Sequence, residues 1–182
     1  MEVFEGVALS KSGFPKSVLV DANFLVCWVS PKTSKDDKAR IQYFFENVEK
    51  AKAKIIIPMP AVAEYLVGAD SAALDTFNKL ERRAFVILAA FDRASAFECA
   101  LMDRAALGSG NKKDGIDEPW QKIKIDRQIV ATGKVYGTSL VISGDAGVRQ
   151  NALRVGMAAK TVQELDLPDS AKQTKLAFAP EK

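Results

Sequence analysis

Four acidic residues stand where their neighbours place them at strand ends or helix starts: Asp21, Glu64, Asp126 and Asp145. Asp21 follows the apolar run Val18 to Val20 in VLVDANF, a pattern expected for a strand buried on both faces of a parallel sheet. Asp145 repeats it, following the buried-strand run Ser139 to Ser143 through Gly144. Glu64 falls in PAVAEYL, on the first turn of a helix that begins at Ala61 after Pro58-Met-Pro60. Asp126 opens a helical period continued by Ile129, Val130 and Gly133 and closed by Gly137, which puts it in a first turn. Each acid alone has a plain structural explanation, an Asx cap or a charge complementing a helix dipole. Together they are costly, because crowded carboxylates repel unless a cation is bound.

The chain contains no histidine. That removes Ser-His-Asp and Cys-His catalysis, HExxH metalloprotease sites and nearly every catalytic zinc arrangement. Any metal must be held mainly by oxygen, which suits Mg²⁺ or Mn²⁺. The two cysteines, Cys27 and Cys99, are far apart and read as small hydrophobes rather than a disulfide or metal pair. With 48% apolar and 27% charged residues in 182, the composition suits one globular domain. A net charge of +3 permits an anionic partner without demanding one. No apolar run is long enough to span a membrane and the start does not read as a signal peptide, so a cytoplasmic location is expected.

Strands and helices alternate around these acids. Residues 1–16 read as a lead-in, and 35–53 as an amphipathic helix capped near Ser34, with Ile41, Phe44, Phe45 and Val48 inward. Ile55 to Ile57 is a second strand and Phe85 to Leu88 a third, with Leu74, Phe77 and Leu80 facing inward on the helix between. A helix from Asp92 carries Phe97, Ala100 and Leu101 as a core stripe, and Val155 to Ala159 is a fifth, edge strand. The expectation is an α/β domain over 1–165, a central, mostly parallel sheet of about five strands flanked by helices, followed by a tail over 166–182. Right-handed crossovers then bring all strand carboxyl ends, and the four acids, to one edge. Asn23 projects to the same side as Asp21 while strand geometry lasts.

The stretch NKKDGIDEPW reads as an exposed loop. Lys112, Lys113, Lys122 and Lys124 near Trp120 suggest a surface for single-stranded nucleic acid, phosphates on the lysines and a base on the indole. The plainer reading is a solvated loop with one anchoring tryptophan.

The order of acids resembles the PIN-domain family of metal-dependent nucleases, VapC-like toxin ribonucleases among them. The likeness spans roughly Val18 to Leu165 and rests on VLVDANF, PAVAEYL, DRQIVATGKVYGTSLVISGD and VGMAAKTVQEL. It implies that Asp21, Glu64, Asp126 and Asp145 hold one or two Mg²⁺ or Mn²⁺ ions, and that Asn23 and Ser143 hydrogen-bond the carboxylates or a metal-bound water. It further implies an endoribonuclease acting on RNA, a possible antitoxin or other protein partner, and a possible homodimer. The segment Asp103 to Lys124 and the tail are longer than in compact toxin-like members.

Other readings fare worse. A haloacid-dehalogenase-type phosphatase needs a second Asp two residues after the first, where Asn23 stands, and GxGxxG and GxxxxGK[ST] are both missing. The serious alternative is a PIN-like scaffold that binds RNA or protein without cutting, and retention of all four acids argues against it.

Overall fold

The computed structural model describes residues 13–173. The lead-in before residue 13 and the end of the tail, with Leu176, Phe178 and Pro180, lie outside the described residues. Five strands form one all-parallel sheet: β1 (Ser17–Val20), β2 (Lys54–Pro58), β3 (Val86–Ala89), β4 (Leu140–Ile142) and β5 (Ala158–Lys160), in the order β3-β2-β1-β4-β5. Chain order runs outward from β1 in both directions, so the strand order reverses between β1 and β4. Such a switch point opens a crevice at the carboxyl ends of the strands.

Alternation along the strands sends side chains to two separate cores. Val18, Val20, Ile55, Ile57 and Ile142 pack on one face with Phe24, Phe44, Phe45, Tyr65 and Phe77. These come from α1 (Ala22–Val29), α2 (Lys35–Lys50), α3 (Met59–Gly68) and α4 (Ser71–Glu81). On the other face Leu19 and Val141 meet Ile129, Val130, Val148 and Ala152 from α6 (Trp120–Val135) and α7 (Ala146–Arg154). Gly133 permits this second contact, since a Cβ there would overlap the Leu19 side chain. The end of α6 is a Schellman closure: Gly137 has φ +66, its N–H donates to Lys134 O, and Thr138 N–H donates to Gly133 O.

Five expectations are corrected. Residues after Asp21 turn at once into α1, so Asn23 is helical rather than extended. Leu74 is exposed although Phe77 and Leu80 are buried. On α5 (Arg93–Gly108) the stripe of Phe97, Ala100 and Leu101 faces outward, with Phe97 61% and Leu101 54% exposed. The inward side is instead Ser95 and Ala106, flanked by the half-buried Cys99 and Met102, small enough to let α5 lie along α6. Finally, α6 begins at Trp120, so Asp126 sits in its second turn, as Glu64 does in α3.

The 109–119 connection is organised by an arginine that no sequence pattern singles out. Arg127 is fully buried; its Nη1 meets Asp103 Oδ1 at 2.6 Å, and its Nη2 donates to Lys112 O at 2.9 Å and to Asp114 Oδ2 at 3.1 Å. Asp114 sits at φ +54, a backbone conformation that Asp tolerates better than most residues. Arg154 also reaches Asp114, and Ile116 is buried beneath the loop. After β5, a 3₁₀ turn (Val162–Glu164) leads to the buried Leu165 and Leu167 and to α8 (Asp169–Gln173), with Arg40 donating to Leu165 O. No described helix is long and apolar enough to cross a membrane.

Breaking a buried charged cluster by removing one partner is expensive. Because Asp103 and Asp114 keep some solvent, Arg127→Met is expected to cost about 2–4 kcal/mol in urea unfolding. Amide exchange across 109–119 should also rise before it rises elsewhere. Unchanged exchange there would show that the loop does not depend on the guanidinium.

Candidate active site at the carboxyl edge

Asp21 and Asp145 each split their two oxygens between a helix cap and a side-chain partner. Asp21 caps α1, its Oδ1 accepting from Phe24 N–H at 3.0 Å, while Oδ2 accepts from the Ser143 hydroxyl. Asp145 caps α7, its Oδ1 accepting from Gly147 N–H at 2.7 Å and Val148 N–H at 3.2 Å, while Oδ2 lies 2.7 Å from Lys122 Nζ. The capping and site readings are therefore compatible. Ser143 joins the two acids, since its buried hydroxyl donates to Asp21 and accepts from Asp145 N–H at 2.9 Å. Arg149 holds this corner from behind by donating to Ser143 O at 2.9 Å.

Asp126 reaches the same place from α6, with Oδ2 3.3 Å from Lys122 Nζ. Its carboxylate lies so close to α7 that a Cβ on Gly147 would overlap it. Gly147 therefore shapes the site by being small. Glu64, from α3, completes the set on the more open side: all four acids line one cleft of about 420 Å³ together with Asn23 and Lys122. A separate cavity of about 340 Å³, bounded by Phe14, Tyr43, Phe44 and Leu140, shares none of these residues.

Electrostatics differ between the acids according to what neutralises them. Burial raises Asp21, outweighing the bonds from Ser143 and Phe24, and the charge of Asp145 adds to the rise. Glu64 is raised by desolvation in the cleft and by the charges of Asp21 and Asp145. Asp126 is pushed up to about 6 by burial and by Asp145, against the pull of Lys122. Asp145 goes the other way: desolvation is its largest single influence, but Lys122 and the N–H groups of α7 together hold it below its usual value. Desolvation works against the Lys122 charge, yet Asp145 and Asp126 raise its pKa.

An all-oxygen donor set suits a hard divalent ion. Two of its members, Asp126 and Asp145, already converge on one positive charge, the Lys122 ammonium. Among the described residues, however, no group of three or more His, Cys, Asp or Glu side chains is gathered tightly enough to hold a metal as they stand. The residues thus fit such an ion in chemistry, with a lysine where part of its charge would sit. Asn23 adds a weaker influence that lowers Asp21, and lies across from Gly144.

The lysines grouped by sequence separate in space. Lys122 belongs to the acidic cleft. Lys112 instead sits 5.1 Å from the centre of the Trp120 ring, which also has the Arg127 guanidinium 5.6 Å away, so the indole already has two cationic neighbours. Lys113 is half-buried in the loop and Lys124 is exposed on α6. The position of Lys122 was readable in principle: Pro119 can precede a helix, and a helix starting there makes Lys122 and Asp126 an i, i+4 pair. Gly147 and Arg127 left no such signal.

An acid whose pKa rises on folding takes up protons in the native state, so its contribution to stability falls as pH rises from its unfolded value of about 4 towards about 6. Asp126→Asn removes that penalty. In chelator, it should be more stable than wild type by about 1–2 kcal/mol near pH 7, with the difference shrinking near pH 4. Urea unfolding at the two pH values checks this, and a variant less stable at both would show that the Lys122 pairing outweighs burial.

No protein-family model and no curated protein matches the sequence. Solved structures do match in shape. VapBC2 from Rickettsia felis, bound to a DNA fragment from its promoter, gives a TM-score of 0.54 at 10% identity, covering 80% of this chain and 98% of that one. DNA-bound VapBC from Salmonella typhimurium gives 0.50 at 15% identity, with the same coverage of both chains. At such identities the likeness is one of fold, and with its five-stranded parallel sheet flanked by helices this chain has a PIN-like, VapC-like fold.

Proposed function

We propose that the chain is a metal-dependent endoribonuclease that hydrolyses RNA phosphodiester bonds in the acidic cleft. The observation that carries this reading is the convergence of Asp21, Glu64, Asp126 and Asp145, from four different helix starts and turns, on one crevice at the strands' carboxyl edge. In this reading these four residues hold Mg²⁺ or Mn²⁺. When bound, such an ion lowers the pKa of water and offsets charge developing on a phosphate.

The chain's own groups do the positioning. Ser143 ties Asp21 to the backbone of Asp145, so those acids cannot turn independently. Capping bonds engage one oxygen of each, while the other oxygen of Asp21 is bonded by Ser143 and that of Asp145 by Lys122. Glu64 is the acid most open to solvent, and desolvation together with the charges of Asp21 and Asp145 raises its pKa, so it is the member of the set that can exchange protons with solvent most directly. Asn23 supports Asp21 from the first turn of α1.

A protein partner of the antitoxin kind also belongs to the proposal. Both fold relatives are VapBC structures, and Val26 and Val67, the latter 90% exposed, give the cleft an apolar margin that a partner could cover. A cytoplasmic location goes with this reading. The second reading, a scaffold that binds RNA or protein without cutting, draws support from the ammonium of Lys122 between Asp126 and Asp145.

The test is incubation of the purified chain with labelled RNA and, separately, single-stranded DNA, in Mn²⁺, Mg²⁺ or chelator. Cleavage of RNA that needs the metal is expected, with a loss of at least about a hundredfold in Asp21→Asn and in Asp145→Asn. Full turnover by either variant would remove the site assignment. Absence of both metal binding and cleavage would favour the scaffold. If the 109–119 loop touches phosphates, Lys112→Ala with Lys113→Ala should also flatten the salt dependence of RNA binding.

A further inference from the structure

We propose that Lys122 is the resident cation of the carboxylate site: it holds Asp126 and Asp145 together in the metal-free protein, and a divalent ion must displace it to bind there. The inference rests on the carboxylate-metal reading above and adds a competitor built into the chain.

Geometry singles out this lysine. Its Nζ lies 2.7 Å from Asp145 Oδ2 and 3.3 Å from Asp126 Oδ2. On Asp145 the bonded oxygen is the one that α7 leaves free, since the N–H groups of Gly147 and Val148 take Oδ1. The ammonium therefore occupies the oxygens that a metal would need. It gets there because α6 starts at Trp120, which sets Lys122 one turn before Asp126 on the same helix face. The Lys122 side chain is two-thirds shielded, 33% exposed, and lines the cleft beside Asp21 and Glu64 rather than reaching into solvent. Lys124, two residues on, is exposed.

The chemistry of lysine suits displacement. An ammonium is a compact, strongly hydrated point charge on a flexible stem. Its attraction to a partly exposed carboxylate is modest, whereas a hard dication gathers several carboxylate oxygens at once. Without either cation, Asp126 and Asp145 would face each other unpaired beside Asp21, a costly arrangement. Lys122 thus lets the site assemble before metal arrives, at the expense of metal affinity.

Calorimetric titration of Mn²⁺ into the chelator-treated full chain tests this directly. Lys122→Met should bind Mn²⁺ roughly three- to tenfold more tightly than wild type. Lys124→Met should match wild type, which separates displacement from a general change in charge, and Lys122→Arg should bind no more tightly than wild type. In chelator Lys122→Met should melt below wild type and regain more stability on adding Mn²⁺. Equal or weaker Mn²⁺ binding by Lys122→Met while wild type binds would overturn this inference alone; absence of Mn²⁺ binding in every form would overturn it together with the nuclease reading. A check without any variant is the Lys122 ε-methylene NMR signal of the wild-type chain. It should move on saturation with Mg²⁺ while that of Lys124 stays, and a stationary Lys122 signal in metal-saturated protein would also overturn the proposal.

Discussion

Mutual repulsion among carboxylates crowded at one sheet edge is the constraint on which this structure turns. Asp21, Asp126 and Asp145 approach one another, with Glu64 across the cleft, and burial makes the charged forms costlier still. The fold answers with positive partial charge and one full charge. Helix N-termini receive Asp21 and Asp145, the Ser143 hydroxyl bonds Asp21, and Lys122 meets Asp126 and Asp145. Asp145 has the most of these partners and is held below the usual carboxylate range, whereas Asp126 is raised to about 6. The site is thus uneven by construction, with one acid firmly ionised and others readier to take a proton.

Close approach of helices to the sheet makes that crowding possible. Gly133 brings α6 against Leu19 of the central strand, and Gly147 brings α7 against the carboxylate of Asp126. Both glycines act through the side chain they lack rather than through an unusual backbone angle. Behind them, the buried Arg127 ties α6 to Asp103 on α5 and to the 109–119 loop. The 109–119 loop is therefore fastened to the same helix that delivers Asp126 and Lys122.

The helix faces show how an apolar pattern can mislead. On α2, Ile41, Phe44, Phe45 and Val48 are buried as their spacing implies. On α5 the largest apolar residues face outward, while Ser95 and Ala106 are buried, because two helices packed closely favour small side chains between them. Size and hydrophobicity identify a core stripe only when the neighbouring surface has room for it. An exposed Phe97 and Leu101 on a domain with a filled core leave a face free for another surface.

The sequence by itself determined the elements and the identity of the acids. Short apolar runs just before Asp21 and Asp145 matched buried strands, and parallel connection sends their ends to one edge. The absence of histidine limited the chemistry to oxygen donors. The start of α6 was only weakly marked, by Pro119 as a permitted residue before a helix, because the polar stretch before it also reads as loop; Ile123 and Arg127, both buried, anchor the turn that follows. Tertiary structure alone decided that Lys122 turns inward to Asp126 and Asp145 instead of outward to solvent, and that Gly147 must be small. Both follow from contacts between α6 and α7, elements adjacent in space whose relative approach no local spacing encodes.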